Sequence, residues 1–154
     1  MYALKPAIKQ DPKRRWALPD RIFFGHGACH ILAGAYLKQR PLPGFCAERI
    51  IPADGFAGNH IYVTDGEVAF DHRGYTLRMR LLQFHTNGWA SRHAQGWNCR
   101  LEKVEFDLLS TTELNARKMR GPDQYLYNPV PRADRYLQRI DHVSAASKAR
   151  GKAG

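Results

Sequence analysis

Apolar positions change their period several times along the chain. Residues 1–19 show no period; they are rich in Pro, Lys and Arg, which predicts an extended basic arm. Trp16, Leu18, Ile22, Phe23 and Phe24 would pin its end to the core. Ile31, Leu32, Ala35 and Tyr36 recur with helical spacing, so a helix is predicted from Gly27 or Ala28 to Lys38 or Gln39. Pro41, Pro43 and Gly44 end it. Three short strands follow, at about 48–52, 59–64 and 67–71, with Asp65-Gly66 as a two-residue hairpin signal between the last two.

Residues 75–87 then read as a second helix, with Leu77, Leu81 and Phe84 on one face and Gly88 after its end. Residues 89–98 read as a loop. Val104, Phe106 and Leu108 alternate at the end of a strand predicted over Cys99–Leu108. Ser110 and Glu113 form a capping-box pattern opening a helix that Gly121-Pro122 should close. A Pro/Tyr/Gln loop spans 121–131, a last helix covers about 132–142, and a small basic tail from Ser144 is expected to be disordered. There are no internal repeats. A helix, then antiparallel strands, then mixed elements predicts an α+β fold: one domain over 20–143, with an arm at 1–19 and a tail at 144–154.

The hairpin carries chemical information. With Asp65 and Gly66 as its two loop residues, Ile61, Val63, Val68 and Phe70 share an apolar face. His60, Tyr62, Thr64, Glu67, Ala69 and Asp71 share the other. His60 and Asp71 become direct cross-strand neighbours, with Cβ atoms about 5 Å apart. A carboxylate there accepts a hydrogen bond from one imidazole nitrogen and makes the other more basic.

Cys29 opens the first helix behind Gly25, His26, Gly27 and Ala28. A thiol in the first turn of a helix feels the positive end of the dipole, which lowers its pKa. Backbone N–H groups at the same point stabilise an oxyanion, and the two glycines let a carbonyl approach closely.

A Cys at a helix start, then a His on a strand, then an Asp at the end of the next strand resembles the papain-like and transglutaminase-like cysteine hydrolases. The segments carrying the resemblance are Gly25–His30 and His60–Asp71. It implies a papain-like core in which a Cys-bearing helix packs on a small antiparallel sheet, with further helices C-terminal. Cys29 would be the nucleophile, His60 the base and Asp71 its orienter. The implied activity is acyl transfer at an amide or thioester, of peptidase, amidase, deamidase or transglutaminase type, without a cofactor. The partner would be a peptide or other amide substrate. No Trp follows Cys29, and no clear Gln or Asn stands upstream of it as a side-chain oxyanion donor. His26 and Gly27 are the local substitutes, and Gln124 in the 121–131 loop is a candidate for the substrate cleft.

Plainer readings stand beside these. Cys29 alone reads as a small buried hydrophobe, and His60–Asp71 as a structural pair. His26, Cys29, His30, His60 and His72 offer zinc-ligand chemistry without the usual ligand spacing, so no metal is expected. His30, His85, His93 and His142 read as ordinary surface or core residues.

Charge changes the picture less than its size suggests. The 154 residues carry a formal charge of +10, of which +4 lies in residues 1–15 and +3 in residues 148–154. A basic binding module contacting nucleic acid or an acidic protein is therefore the alternative, with Arg132, Arg135, Tyr136 and Arg139 as its helix face. Three cysteines without paired spacing argue against a disulfide framework. The chain has neither an apolar run approaching 18 residues nor a signal-peptide pattern, so the expectation is a cytoplasmic protein with no membrane partner.

Overall fold

A computed structural model describes residues 4–151. Its centre is the hairpin. Strands β1 (Cys46–Pro52), β2 (His60–Thr64), β3 (Val68–Asp71), β4 (Gly74–Leu77) and β5 (Cys99–Lys103) form one antiparallel sheet in the order β4-β3-β2-β1-β5. Every residue of β2 and β3 is buried, because both faces of the sheet are covered.

On one face lies α4 (Cys29–Gln39), whose residues His30–Tyr36 are all buried. Ile31, Leu32, Ala35 and Tyr36 join Ala47, Ile61, Val63 and Phe70 of the sheet in the larger core. The far side of α4 meets α7 (Val130–Gln138), which adds Ala133 and Leu137. A helix with partners on opposite sides is apolar nearly all round. On the other face, Leu81 of α5 (Arg78–Ala90) and Trp97 cover Ile50, Tyr62 and Ala69. The architecture is thus α+β with a small antiparallel sheet, as the hydrophobic pattern predicts.

The hairpin register differs from the expected one by two residues. Val63 pairs with Phe70 and Thr64 with Ala69, so the turn centres on Gly66-Glu67. Thr64 Oγ1 accepts from Gly66 N and donates to Val68 O, while Asp65 Oδ1 accepts from the N–H groups of Glu67 and Val68. Gly66 has φ +98°, which a side chain would resist. A shift of two preserves the faces, because the side-chain period is two.

Near both ends, the described residues are more ordered than their composition suggests. Residues 1–3 of the expected arm lie outside the described residues; the rest is not extended but forms α1 (Pro6–Lys9) and α2 (Pro12–Trp16). Asp11 caps α2 by accepting from Lys13 N and Arg14 N, and Pro12 presets its first turn. Next comes α3 (Asp20–Phe23). Arg132 of α7 ties this region down, donating to Trp16 O at 2.7 Å, Leu18 O at 2.6 Å and Asp20 Oδ1 at 2.7 Å. Its guanidinium also lies 4.2 Å from the Phe23 ring centre. The tail is helical as α8 (His142–Gly151), apart from residues 152–154, which lie outside the described residues. Ala146 and Ala149 are buried, and Arg150 pairs with Asp65 and Glu67 at the hairpin tip.

Other boundaries move: the strand expected over Cys99–Leu108 stops at Lys103, and the helix expected at about 132–142 runs Val130–Gln138. Residues 74–77 form β4 rather than a helix start, because Gly74 (φ +97°) closes a second tight turn after His72-Arg73. The helix α5 therefore begins at Arg78 and runs through Gly88. The capping box opens α6 (Thr111–Asn115), which stops short because Lys118 adopts φ +61°. No helix among the described residues is long and apolar enough to cross a membrane.

Arg132 fixes the arm through three contacts at once. Arg132→Met should lower unfolding free energy by about 3 kcal/mol, since two backbone carbonyls and the Asp20 carboxylate lose their donor. Urea denaturation measures this. An unchanged midpoint would mean that the arm is held by apolar contacts alone.

Candidate active site

The helix bearing the thiol starts abruptly. Gly27 has φ +98°, and a Cβ on it would stand 2.1 Å from Arg15 Nη2. Arg15 donates to the carbonyl of the preceding residue, His26, at 3.0 Å. Tyr125 donates its hydroxyl proton to Gly27 O at 2.6 Å. Ala28 is the N-cap, and its carbonyl accepts from Ile31 N and Leu32 N. Cys29 is therefore the first helical residue, at the positive end of α4, where first-turn N–H groups have no carbonyl of their own helix to bond.

His60 begins β2 and Asp71 ends β3. Continuing the observed register sets Asp71 opposite Tyr62, so His60 and Asp71 meet on the diagonal. The imidazole spans the extra distance: His60 Nε2 lies 3.0 Å from Asp71 Oδ2, and both side chains are buried. Asp71 also accepts from Arg73 N at 2.9 Å and Arg73 Nη2 at 3.2 Å. With Nε2 committed to Asp71, Nδ1 of His60 is the nitrogen left to exchange a proton with the thiol.

Electrostatics couple the three groups. Burial alone pushes the Cys29 thiol up, but hydrogen bonds and charge from His30 and His60 outweigh it and bring the pKa down to about 5. Burial pushes His60 down, yet Asp71 and the Cys29 thiolate raise it to about 9. Burial likewise opposes ionisation of Asp71, and His60, His72 and Arg73 together hold it well below the usual carboxylate range. The directions agree: the thiol is pushed down and the imidazole up, so thiolate, imidazolium and carboxylate favour one another.

Three residues read in sequence as ordinary or unassigned support this site. The ring of His85 stacks on His60 with centroids 5.5 Å apart and planes 13° apart. Its Nε2–H donates to Gly58 O at 2.6 Å, and burial, with the nearby His60 charge, lowers its pKa to about 4, so it stays neutral. His30 donates from Nε2 to Arg120 O at 2.7 Å, leaving Nδ1 for the thiol. Tyr125 pins Gly27 and lies 3.4 Å from the His30 ring nitrogen. Position 85 follows the buried Leu81 by one helical turn, so a core-facing imidazole was legible there. His30 stood out only as a zinc-ligand candidate and Tyr125 only as part of the 121–131 loop; neither pattern pointed to these contacts.

The expected oxyanion and cleft residues divide. Gly27 forms the turn before the thiol. His26 Nδ1 lies 3.2 Å from Ile22 O, to which it donates. Gln124 is not brought to the thiol: its side chain bonds Gly121 N and Asn115 instead, stabilising its own loop. The 121–131 loop reaches the site through Tyr125.

His60, Asp71 and His72 offer three ligand atoms within 4.8 Å of one another. A cation there must displace the proton joining His60 to Asp71 and sit beside Arg73, so the donor set suits a proton better than a metal. A small closed gap with no room for a water lies beside Cys29 between α4 and the sheet, lined by Leu32, Ile61, Phe70, Asp71 and His72 among others. A wider cleft of about 590 Å³ lies elsewhere, between Trp16, Asp20 and the arginines of α7. No protein-family model, curated protein or solved structure matches this chain.

The pH dependence of thiol alkylation tests the electrostatics. Cys29 should react with iodoacetamide at half its maximal rate near pH 5, losing reactivity as it protonates below that. Exposed Cys46 should follow a free thiol, near pH 8.5. In His60→Ala the Cys29 midpoint should rise by about two units or more, because its main stabilising cation is gone. A Cys29 midpoint near 8.5 in the wild type would remove the ion pair.

Proposed function

We propose that this chain is a cysteine-dependent acyl-transfer enzyme of papain-like or transglutaminase-like type, acting on an amide or thioester carbonyl. One observation carries the reading: a thiol at a helix N-terminus, beside an imidazole whose far nitrogen is held by a buried carboxylate.

The Cys29 thiolate attacks the carbonyl carbon, and the π electrons move onto oxygen. The first-turn N–H groups of α4 face the developing oxyanion. As the tetrahedral adduct collapses, the C–N or C–S bond breaks and the leaving group takes its proton from His60 Nδ1. His60 then deprotonates water or an amine, which attacks the acyl-enzyme and releases the thiolate. Asp71 remains ionised and holds the ring with Nδ1 toward sulfur. The neutral ring of His85 adds no positive charge of its own beside the imidazolium.

An activated ester tests this without knowledge of the natural substrate. With p-nitrophenyl acetate, the protein should release a burst of nitrophenolate equal to the enzyme concentration, and mass mapping should place the acetyl group on Cys29. Cys29→Ala should abolish the burst, and Asp71→Asn should slow acylation by roughly a hundred-fold or more. A chelator should leave both unchanged. Acetylation confined to lysines, or an equal burst from Cys29→Ala, would overturn the reading.

A further inference from the structure

Arg49 of β1 is a cation without a counter-ion at the thiol end of the sheet. It pairs in register with Ile61, on the sheet face that α4 covers, and Ile61 also lines the small closed gap beside Cys29. Its Nη2 donates to Asn59 Oδ1 at 3.3 Å, next in the chain to His60. On its other side the register offers Glu102 as a natural ion-pair partner. Glu102 instead lies 3.8 Å from Arg100, and no carboxylate among the described residues pairs with Arg49. The Nε–H of Arg49 is buried with no acceptor.

A buried guanidinium N–H lacking both acceptor and counter-ion is unusual, because burying it costs what water no longer supplies. Burial lowers the Arg49 pKa; of the charges around it Glu102 acts most strongly and raises it, Arg117 and Arg100 lower it, and Cys29 contributes least. A planar fork of donors matches the two oxygens of a carboxylate.

We propose that Arg49 is the docking point for a carboxylate on the substrate. The class selected is then an amide or thioester carrying a carboxylate close to its scissile carbonyl. This inference rests on the acyl-transfer reading, since it takes Cys29 as the reacting atom. The carboxylate completes the unfinished side of Arg49 and orients the carbonyl toward the thiolate, which leaves neutral analogues poorly positioned.

Two alkylating agents of nearly equal shape separate the two ideas. In each, the thiolate forms an S–C bond and iodide leaves; iodoacetate carries a carboxylate where iodoacetamide carries an amide. The reading is the iodoacetate-to-iodoacetamide rate ratio at Cys29, mapped by mass spectrometry with Cys46 as internal reference. In the wild type the ratio at Cys29 should exceed that at Cys46 by about ten-fold, and Arg49→Gln should remove most of the excess. Arg49→Lys should keep part of it. If Arg49→Gln lowers both rates and leaves the ratio unchanged, Arg49 only holds Asn59 and the proposal is overturned.

A second measurement needs no variant. N-acetylglycine and the α-amide of N-acetylaspartate present a terminal and a side-chain carboxylate. At least one should slow iodoacetamide alkylation of wild-type Cys29, and the stronger protector identifies the source, whereas N-acetylglycinamide should not protect. No protection by either acid overturns the proposal. A wild-type Cys29 inert to both agents overturns the acyl-transfer reading itself, and this inference with it. A reactive Cys29 indifferent to Arg49 overturns only the inference.

Discussion

Everything at the candidate site depends on one buried hydrogen bond across the β2–β3 hairpin, from His60 to Asp71. It holds a charged pair in the middle of a sheet covered on both faces, where an unpaired ion would be expensive. The pair is tolerated because the hairpin supplies the remaining partners. Arg73, in the turn after β3, bonds Asp71 through both its backbone and its side chain. On the other side, the thiolate of Cys29 balances the imidazolium. Remove Asp71, and His60 loses its proton more easily; the thiol then loses the cation that keeps it ionised. The three pKa shifts are one cooperative arrangement rather than three local effects.

The helix start carries the complementary constraint. An N-terminal turn reaches the end of the sheet only if the chain enters it sharply. Gly27 permits that entry, and Arg15 and Tyr125 hold it from two distant parts of the chain. Arg132 in turn fixes the end of the segment that contains Arg15. The N-terminal arm is therefore part of the scaffold of the site, and its basic residues are not simply solvated charge. Of the cations in this arm, Arg15 is buried to 8% exposure.

How much of this was legible depended on whether the signal was local. The faces of β2 and β3 followed from alternation, and they survived a register error of two because parity is indifferent to it. The register itself was set by the Thr64 hydroxyl and the Asp65 carboxylate folding back on the turn, which a two-residue loop rule does not see. In the arm, Asp11 followed by Pro12 was a readable cap, obscured by basic composition. The helix α8 was not readable, since its burial comes from β3 and β4 and from Asp65, far away in sequence. Tyr125 and His30 were illegible for the same reason: their roles arise from contacts spanning 90 residues or more.

Arg49 shows what such a reading misses in the opposite direction. Opposite Glu102 in the β1–β5 ladder, it has the sequence context of a routine cross-strand ion pair. Only the side-chain positions show that the carboxylate turns to Arg100 and the guanidinium toward Asn59 and the thiol end. A fold that neutralises Asp71 with Arg73, Asp20 with Arg132, and Glu48 with Arg78 has no difficulty making ion pairs. Arg15, more buried still, also lacks a carboxylate among the described residues, but the carbonyls of Lys9 and His26 accept from it; the buried Nε–H of Arg49 has no acceptor, and that is the feature the proposed carboxylate would answer.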